Sequence, residues 1–546
     1  MRGLAGVTEE VLILIVRENE MKAEELKLFR ERVAALRVNP AAIEVVKIYG
    51  VNGGIIQNRQ GKESSLQIYA AVTSNDGYIS PAGAKKGLAV YGNSLRNEAK
   101  ERPGSHPEID RLQKIASARQ AVRCDIIRRE EAKPLPDRIL RALPEALQRY
   151  PTPFYIYDEQ GIRDTARAYK KAFAWVKPAY RNYFAVKACP NPHIVNVLKE
   201  ESFGADCSSL PELVIAEKLG MRGEDIMFTS NDTPAEEYVK AKQLNAIINL
   251  DDISHIGYLD KNAGMPGLIC FRYNPGPLRE GNDIIGDPRE SKYGVTTGQI
   301  TGAYIKALEL GAERFGLHTM VVSNMLDGQY LEETAVMLFK LAAMIHHNTG
   351  IKFDLINLGG GFGIPYKPEQ AAIDLEAVSS GIRGAYKKYI EDTGLGPVRV
   401  VTECGRAITG PHGFLVSKVR HISRKYKDFV GLDACMANLM RPALYGAYHH
   451  ITVLGKENEL KDHVYDVTGS LCENNDKFAV NRPLPAVAPG DVFVLHDAGA
   501  HGYAMGFQYN GKLRSAELLV TPGGKVRRIR RAETIDDYLG TLEGWP

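Results

Sequence analysis

Several places in the sequence carry side chains whose type and setting suit chemistry. Lys187, in YFAVKACPNP, closes an apolar run, so its ammonium would project from a low-dielectric wall. Burial there would lower its pKa and make it a candidate Schiff-base amine, whereas a solvated strand-end lysine would do no chemistry. The run LGGGFG, Leu358 to Gly363, exposes backbone N–H groups that can cradle a phosphate, with ordinary turn formation as the other reading. Glu403 and Arg406, in TECGRAITG, place opposite charges three residues apart, as a structural ion pair or as site groups. Cys472 and Glu473, in TGSLCENNDKF, put a thiol beside a carboxylate in a polar loop, where a cysteine has little packing reason to stand and a free surface cysteine is the plain alternative. His318 reads either as a satisfied wall histidine or as a site group, and Tyr503, in GAHGYAMG, as packing or as a ligand contact. The seven cysteines are scattered without the CxxC spacing of a zinc site, so no metal is expected.

These residues need a frame of several domains. A chain of 546 residues corresponds to about three or four domains at roughly 150 residues each. Hydrophobic residues at 44% and charged residues at 25% match folded globular proteins and exclude disordered or fibrous chains. With 69 Lys and Arg against 66 Asp and Glu, the net charge of +3 supplies no field for nucleic acid or an acidic membrane. A small molecule is the expected partner. The apolar run VLILIV, Val11 to Val16, is too short to span a bilayer and wrongly flanked for a signal peptide. The scattered cysteines suit a reducing cytoplasm.

Residues 1–130 read as a small α+β module of unassigned role. In it EELKLFRERVAALRV and HPEIDRLQKIASARQ are expected as helices, and VVKIYGV and LQIYAAVTS as strands. Residues 131–150, with three prolines, read as a linker with a short helix. Across 151–410 short apolar strands alternate with helical segments: 182–188, 202–208, 225–231, 246–251, 268–274, 315–321, 353–361 and 398–406. Eight strands at this spacing predict a (β/α)8 barrel over a doubly wound sheet, because polar or special residues recur at their carboxyl ends: Lys187, Asp206, Asn231, Asp251, His318, Gly359 and Glu403. The glycine run follows the seventh strand, where barrel phosphate sites recur. Residues 411–546 turn to strand-like pieces separated by Gly and Pro and are expected to form a β-domain.

In order along the chain, FAVKACPNP, FGADCSS, NLGGGFG, TECGR, MRPALYGAYH, GSLCENNDKF and GAHGYAMGFQYNGKLRSAELLV make the segment from about Thr152 to about Arg531 resemble the fold-type III pyridoxal-phosphate-dependent amino-acid decarboxylases. The diaminopimelate decarboxylase branch is the most similar. The resemblance implies a TIM-like barrel of the alanine racemase type with a C-terminal β-sandwich or β-barrel domain. It implies that Lys187 holds pyridoxal 5′-phosphate, that Glu403 keeps the pyridine nitrogen protonated, that His318 stacks on the ring, and that Gly359, Gly360, Gly361, Gly405, Arg406 and Tyr503 contact the cofactor. Arg406, Arg441, Tyr445, Glu473 and Tyr503 match substrate-gripping positions, where a guanidinium can clamp a distal carboxylate. Cys472 matches the group that returns a proton to the decarboxylated carbon. In this family its loop reaches into the partner's barrel, which implies a homodimer with composite sites.

The implied reaction is decarboxylation of a D-configured centre, meso-diaminopimelate to L-lysine, with D-lysine or D-ornithine decarboxylation and a non-catalytic cofactor-binding homologue as alternatives. A glutamate rather than an arginine at the pyridine nitrogen favours decarboxylation over racemisation. Departures from the family lie near the substrate's distal end. His318-Thr319-Met320-Val321 stands where the family has His-Ile-Gly-Ser, which removes a hydroxyl contact, and Asn474-Asn475 and QYNGKLR also differ. Cys404 replaces the proline of the Glu-Pro-Gly-Arg motif, with no change of chemistry expected.

Overall fold

The structure is a computed structural model that describes residues 25–40, 43–48, 54–57, 62–118, 120–128, 133–282 and 284–544. The run Val11 to Val16 lies outside the described residues. No described helix is long and apolar enough to cross a membrane. The chain divides into two compact units, one of Met1–Glu131, Asn458–Tyr465 and Asn481–Val487, the other of Ala132–Glu457, Asp466–Val480 and Ala488–Pro546.

In the first unit an antiparallel sheet of β1 (Ile43–Ile48), β2 (Gly54–Gln57), β3 (Tyr78–Ile79) and β4 (Val122–Arg128) runs in the order β2-β1-β4-β3. Helices Glu63–Val72, Pro81–Glu101 and Pro107–Ser117 contribute Leu66, Tyr69, Leu88 and Leu112 to the core it shares with Ile43, Val46 and Cys124. The expected strand LQIYAAVTS is instead part of helix Glu63–Val72. Its β-branched and aromatic residues suggest extension, but Leu66 and Tyr69 are three apart and share the face that packs inward, which only a helix provides.

In the second unit the barrel is a closed ring of eight parallel strands: β6 (Arg181–Ala185), β7 (Gly204–Cys207), β8 (Ile226–Thr229), β9 (Ile247–Leu250), β10 (Leu268–Asn274), β12 (Arg314–Thr319), β13 (Phe353–Asn357) and β14 (Arg399–Thr402). The pairings β14 with β6 and β10 with β9 close it, and the two-residue β11 (Val295–Thr296) extends β10 at the rim. Most barrel-strand residues are buried, as a sheet covered on both faces requires. Tyr183, Met227, Ile247, Cys270, Leu355 and Val401, one from each of six strands, fill the interior with one apolar cluster. The barrel is therefore plugged, and the polar strand ends stand above this floor.

The second sheet is built around β5 (Phe154–Asp158), which lies parallel to strand Ala516–Val520 and antiparallel to β15 (Gly413–Arg424). β15 also pairs with β16 (Asp428–Leu432) and with strand Val492–Leu495. Two expectations change here. The first strand after residue 150 belongs to the β-domain and not to the barrel, so that domain begins before the barrel as well as ending after it. The expected short helix of residues 131–150 is helix Asp137–Arg149, and it is no part of a linker: its Ile139, Ala142, Leu143 and Ala146 are buried against Phe154, Phe414 and Leu518. Pro144 within it disguises an apolar stripe at helical spacing.

Candidate active site

The carboxyl ends of the barrel strands converge on a cavity of about 210 Å³ that includes Lys187, His318, Gly360, Gly361, Glu403, Gly405, Arg406, Arg441 and Tyr445 in its wall. Gly359 sits directly behind it and accepts a hydrogen bond from the Glu403 N–H at 2.8 Å. Residues spread over 259 positions of sequence are thus brought together by strand ends and by the turn Arg441–Tyr445.

Glu403 is fixed from three sides. Its Oε1 accepts from Asn357 Nδ2 at 2.7 Å and its Oε2 from His318 Nε2 at 3.0 Å. Asn249 Nδ2 donates to His318 Nδ1 at 2.9 Å, which leaves the imidazole proton on Nε2, pointing at the carboxylate. Behind Glu403, Asn182 of β6 accepts the Cys404 N–H at 2.7 Å and donates to the Cys404 carbonyl at 3.0 Å. A proline at 404 has no N–H to offer, so the cysteine does have a structural consequence: it adds a bond that anchors the turn. Burial raises the Glu403 pKa, but the facing His318, Lys187 and Arg272 outweigh it and hold the carboxyl below its usual value. Burial pushes the His318 pKa down, in keeping with the single ring proton that its two hydrogen bonds allow.

Lys187 follows β6 in a turn of 3-10 helix and reaches the cavity, its Nζ 3.5 Å from Asp206 Oδ2. Burial depresses its pKa as the sequence suggested, yet the carboxylates of Asp206 and Glu403 more than reverse this, and the net shift is upward. Asp206 itself is pushed up by burial and by Glu403, with Lys187 opposing. Environments that drive two neighbouring carboxyls in opposite directions are a mark of assigned proton roles.

The glycine run forms part of the cavity wall. Gly359 has φ +73° and Gly361 φ +90°, and a Cβ on Gly359 would collide with the Thr319 carbonyl, so only glycine takes this path; the Gly359 N–H donates to Asn357 Oδ1 at 2.9 Å and the Gly360 N–H to Met320 Sδ at 3.3 Å, which leaves Gly360 and Gly361 as the glycines that line the cavity. Arg406 stands beside it, donating to Tyr366 Oη at 2.7 Å and to Ser323 Oγ at 3.2 Å. Ser323 corrects one expectation: the hydroxyl that His318-Thr319-Met320-Val321 had removed returns two residues later and lines the cavity.

Besides Gly359, three expected residues do not line this cavity. Tyr503 is turned into the β-domain, edge-on to Tyr155 with the Arg514 and Arg530 guanidiniums 4.0 and 4.8 Å from its ring. From GAHGYAMG it is His501 and Met505 that line the cavity; His501 is in a left-handed conformation with φ +53° and donates its N–H to the Ala188 carbonyl at 2.8 Å. Cys472 is exposed and Glu473 half-buried on the β-domain, held by the Cys472 N–H to Asn510 Oδ1 at 2.7 Å and by Glu473 Oε1 accepting from the Asn475 N–H at 3.0 Å. Sequence reasoning also passed over Arg272, buried with its guanidinium 3.7 Å from the Tyr293 ring, and over Asn249 and Asn357. The asparagines carried a signal: each stands at or near the carboxyl end of a barrel strand.

The site is short of partners. Asp206, Arg272 and Arg406 line it, and their buried Oδ1, Nε and Nε atoms have no hydrogen bond; neither has Asn249 Oδ1, outside the cavity wall beside His318. Such groups are costly to leave unpaired and point to a polar occupant. An amine, a buried carboxylate fixed by histidine and asparagine, and a glycine turn beside an arginine fit pyridoxal phosphate: Lys187 for its aldehyde carbon, Glu403 for its ring nitrogen, and Gly360 and Gly361 with Arg406 for its phosphate. Among the described residues no group of His, Cys, Asp and Glu is placed to hold a metal ion.

The family described as "Pyridoxal-dependent decarboxylase, pyridoxal binding domain" matches residues 159–410. A second, described as "Uncharacterized protein conserved in bacteria", matches residues 25–126. Protein TabA of Pseudomonas amygdali pv. tabaci is 44% identical over 75% of this chain and 95% of its own length. Diaminopimelate decarboxylase of Methanothermobacter thermautotrophicus is 35% identical over 72% of this chain and 92% of its own. Among solved structures, diaminopimelate decarboxylase from M. jannaschii in co-complex with L-lysine superposes with a TM-score of 0.68 at 29% identity, covering 74% of this chain and 94% of that one. The Helicobacter pylori enzyme complexed with L-lysine gives 0.65 at 29% identity, covering 73% and 98%. Barrel, cradle, lysine and these relatives agree, and the chain belongs to the fold-type III amino-acid decarboxylases, enzymes that work with pyridoxal phosphate.

Proposed function

We propose that this decarboxylase acts on meso-diaminopimelate, removing CO2 from its D-configured centre and leaving L-lysine. The observation that carries the substrate is the pair Arg406 and Arg441. Both are buried in the cavity wall, at 8% and 3% exposure, and neither meets a carboxylate among the described residues. Unpaired buried cations cost several kcal/mol each, about what a ligand anion repays. Two guanidiniums suit two anions, the cofactor phosphate and a distal carboxylate. D-lysine or D-ornithine would bring a distal ammonium to the same place.

Bound pyridoxal phosphate supplies an electron sink for the pair released when the bond to the leaving carboxylate breaks. Glu403, held charged by His318 and Asn357, would keep a proton on the ring nitrogen. Lys187 would hold the cofactor through its amine. As CO2 departs, a proton must take its place on the carbon, and Cys472 donates it, with Glu473 accepting the distal ammonium. Both stand outside the cavity of their own chain, so the reading includes a homodimer in which each β-domain completes the partner's site.

Arg441→Ala tests the substrate. The KM for meso-diaminopimelate should rise about tenfold or more with little change for D-lysine. An equal effect on both would remove the distal carboxylate from the account and favour the D-lysine reading.

A further inference from the structure

The Arg441 guanidinium is held by a group outside the cavity. Its Nη1 lies 2.8 Å from His449 Nε2, and the other ring nitrogen, His449 Nδ1, lies 2.8 Å from the His496 carbonyl oxygen. A carbonyl can only accept, so Nδ1 carries the proton; an arginine can only donate, so Nε2 offers its lone pair. The two contacts fix both the neutral state and the tautomer of the imidazole. His449 is fully buried and does not line the cavity.

The ring of Tyr366 completes the mount. It lies 4.4 Å from the Arg441 guanidinium carbon, and His449 meets it edge-on at 5.2 Å. The Tyr366 hydroxyl takes the hydrogen bond from Arg406. A guanidinium has freedom to swing on its stem, and a clamp for a carboxylate works only when the fork is pre-oriented.

We propose that His449 is the positioning residue of Arg441: it holds the guanidinium in the orientation that meets the substrate carboxylate and so sets substrate affinity without touching substrate. This deepens the proposed function and rests on Arg441 as the carboxylate grip.

The test is a double-substitution cycle in the full-length holoenzyme with meso-diaminopimelate: wild type, His449→Leu, Arg441→Ala, both together, and His449→Gln. His449→Leu should raise KM about tenfold or more, since a hydrogen bond to a charged group is lost, while kcat stays within about threefold and the visible cofactor absorbance is unchanged. His449→Gln, which can still accept from Arg441, should recover most of the loss. In the Arg441→Ala background His449→Leu should add no more than about twofold. A full-sized KM effect persisting in that background, or a loss falling on kcat or cofactor content, would overturn the positioning role. A wild-type KM in Arg441→Ala would instead overturn the underlying reading of Arg441, and this inference with it.

Discussion

Replacing Asp206 with asparagine keeps the side-chain shape and removes one carboxylate from beside Lys187. Burial pushes the Lys187 pKa down, and Asp206 and Glu403 together more than reverse it. At the 3.5 Å separation of Asp206 and Lys187, unit charges attract by about 4.7 kcal/mol at an effective dielectric constant of about 20, or about 3.5 pK units. Half of the lysine side chain is open to water in the cavity, which screens this to about 1–2 units. The sign is clear: without the carboxylate the ammonium loses a partner and its pKa falls. Only the free amine attacks an aldehyde, so capture of pyridoxal phosphate by the apo-protein at pH 7 should speed up about tenfold or more. Stopped-flow absorbance across pH, with borohydride trapping to confirm Lys187 as the attachment point, reads both the rate and its midpoint. An unchanged profile would refute the ion pair and mean that Asp206, itself pushed up by burial and Glu403, keeps its proton at neutral pH.

Other expectations are equally specific. Cys472→Ala should retain cofactor yet slow turnover by about 100-fold, and mixing it with inactive Lys187→Ala under subunit exchange should restore activity, because a mixed dimer has one intact site; no recovery would exclude composite sites. His501→Ala should weaken cofactor retention measurably on dilution, whereas Tyr503→Phe, altering a ring turned away from the cavity, should not. Burial pushes His412 from 6.5 down to about 4. The unfolded chain then binds more protons between those values, so stability is present above pH 6.5 and is lost as pH falls toward 4, by about 3 kcal/mol from this one ring. Urea midpoints measured from pH 7 to pH 4.5 should fall less steeply in His412→Gln than in wild type; parallel slopes would show that His412 is not held neutral.

The barrel was legible because a strand covered on both faces must be a short apolar run, and several of the runs end where a polar residue enters the cavity. LICFRYN coincides with β10, and the other seven expected strands contain or overlap the observed ones to within a few residues. What failed was information that local pattern does not hold. β5 pairs with a strand more than 350 residues later, and no periodicity announces that partner. The three prolines of residues 131–150 made a core helix read as part of a linker, and the β-branched and aromatic residues of LQIYAAVTS masked its helical burial. At the site, Lys187, Glu403, the glycines, Arg406 and Arg441 were found because motifs carry them. Asp206 was noted only as a strand end, and Arg272, Asn249, Asn357 and His449 were missed, because their importance lies in what they face. His501 and Tyr503 show the limit most sharply: two rings two residues apart in one glycine-rich turn differ in direction, and only the backbone conformation decides which enters the cavity.

The most direct test of the whole account is CO2 release by the purified, pyridoxal-phosphate-loaded protein offered meso-diaminopimelate, D-lysine, D-ornithine and the L-enantiomers in parallel. Two buried guanidiniums without acidic partners predict that meso-diaminopimelate dominates and that L-lysine accumulates in step with CO2. Preference for D-lysine or D-ornithine would contradict that reading of Arg406 and Arg441 and show that the distal pocket receives an ammonium.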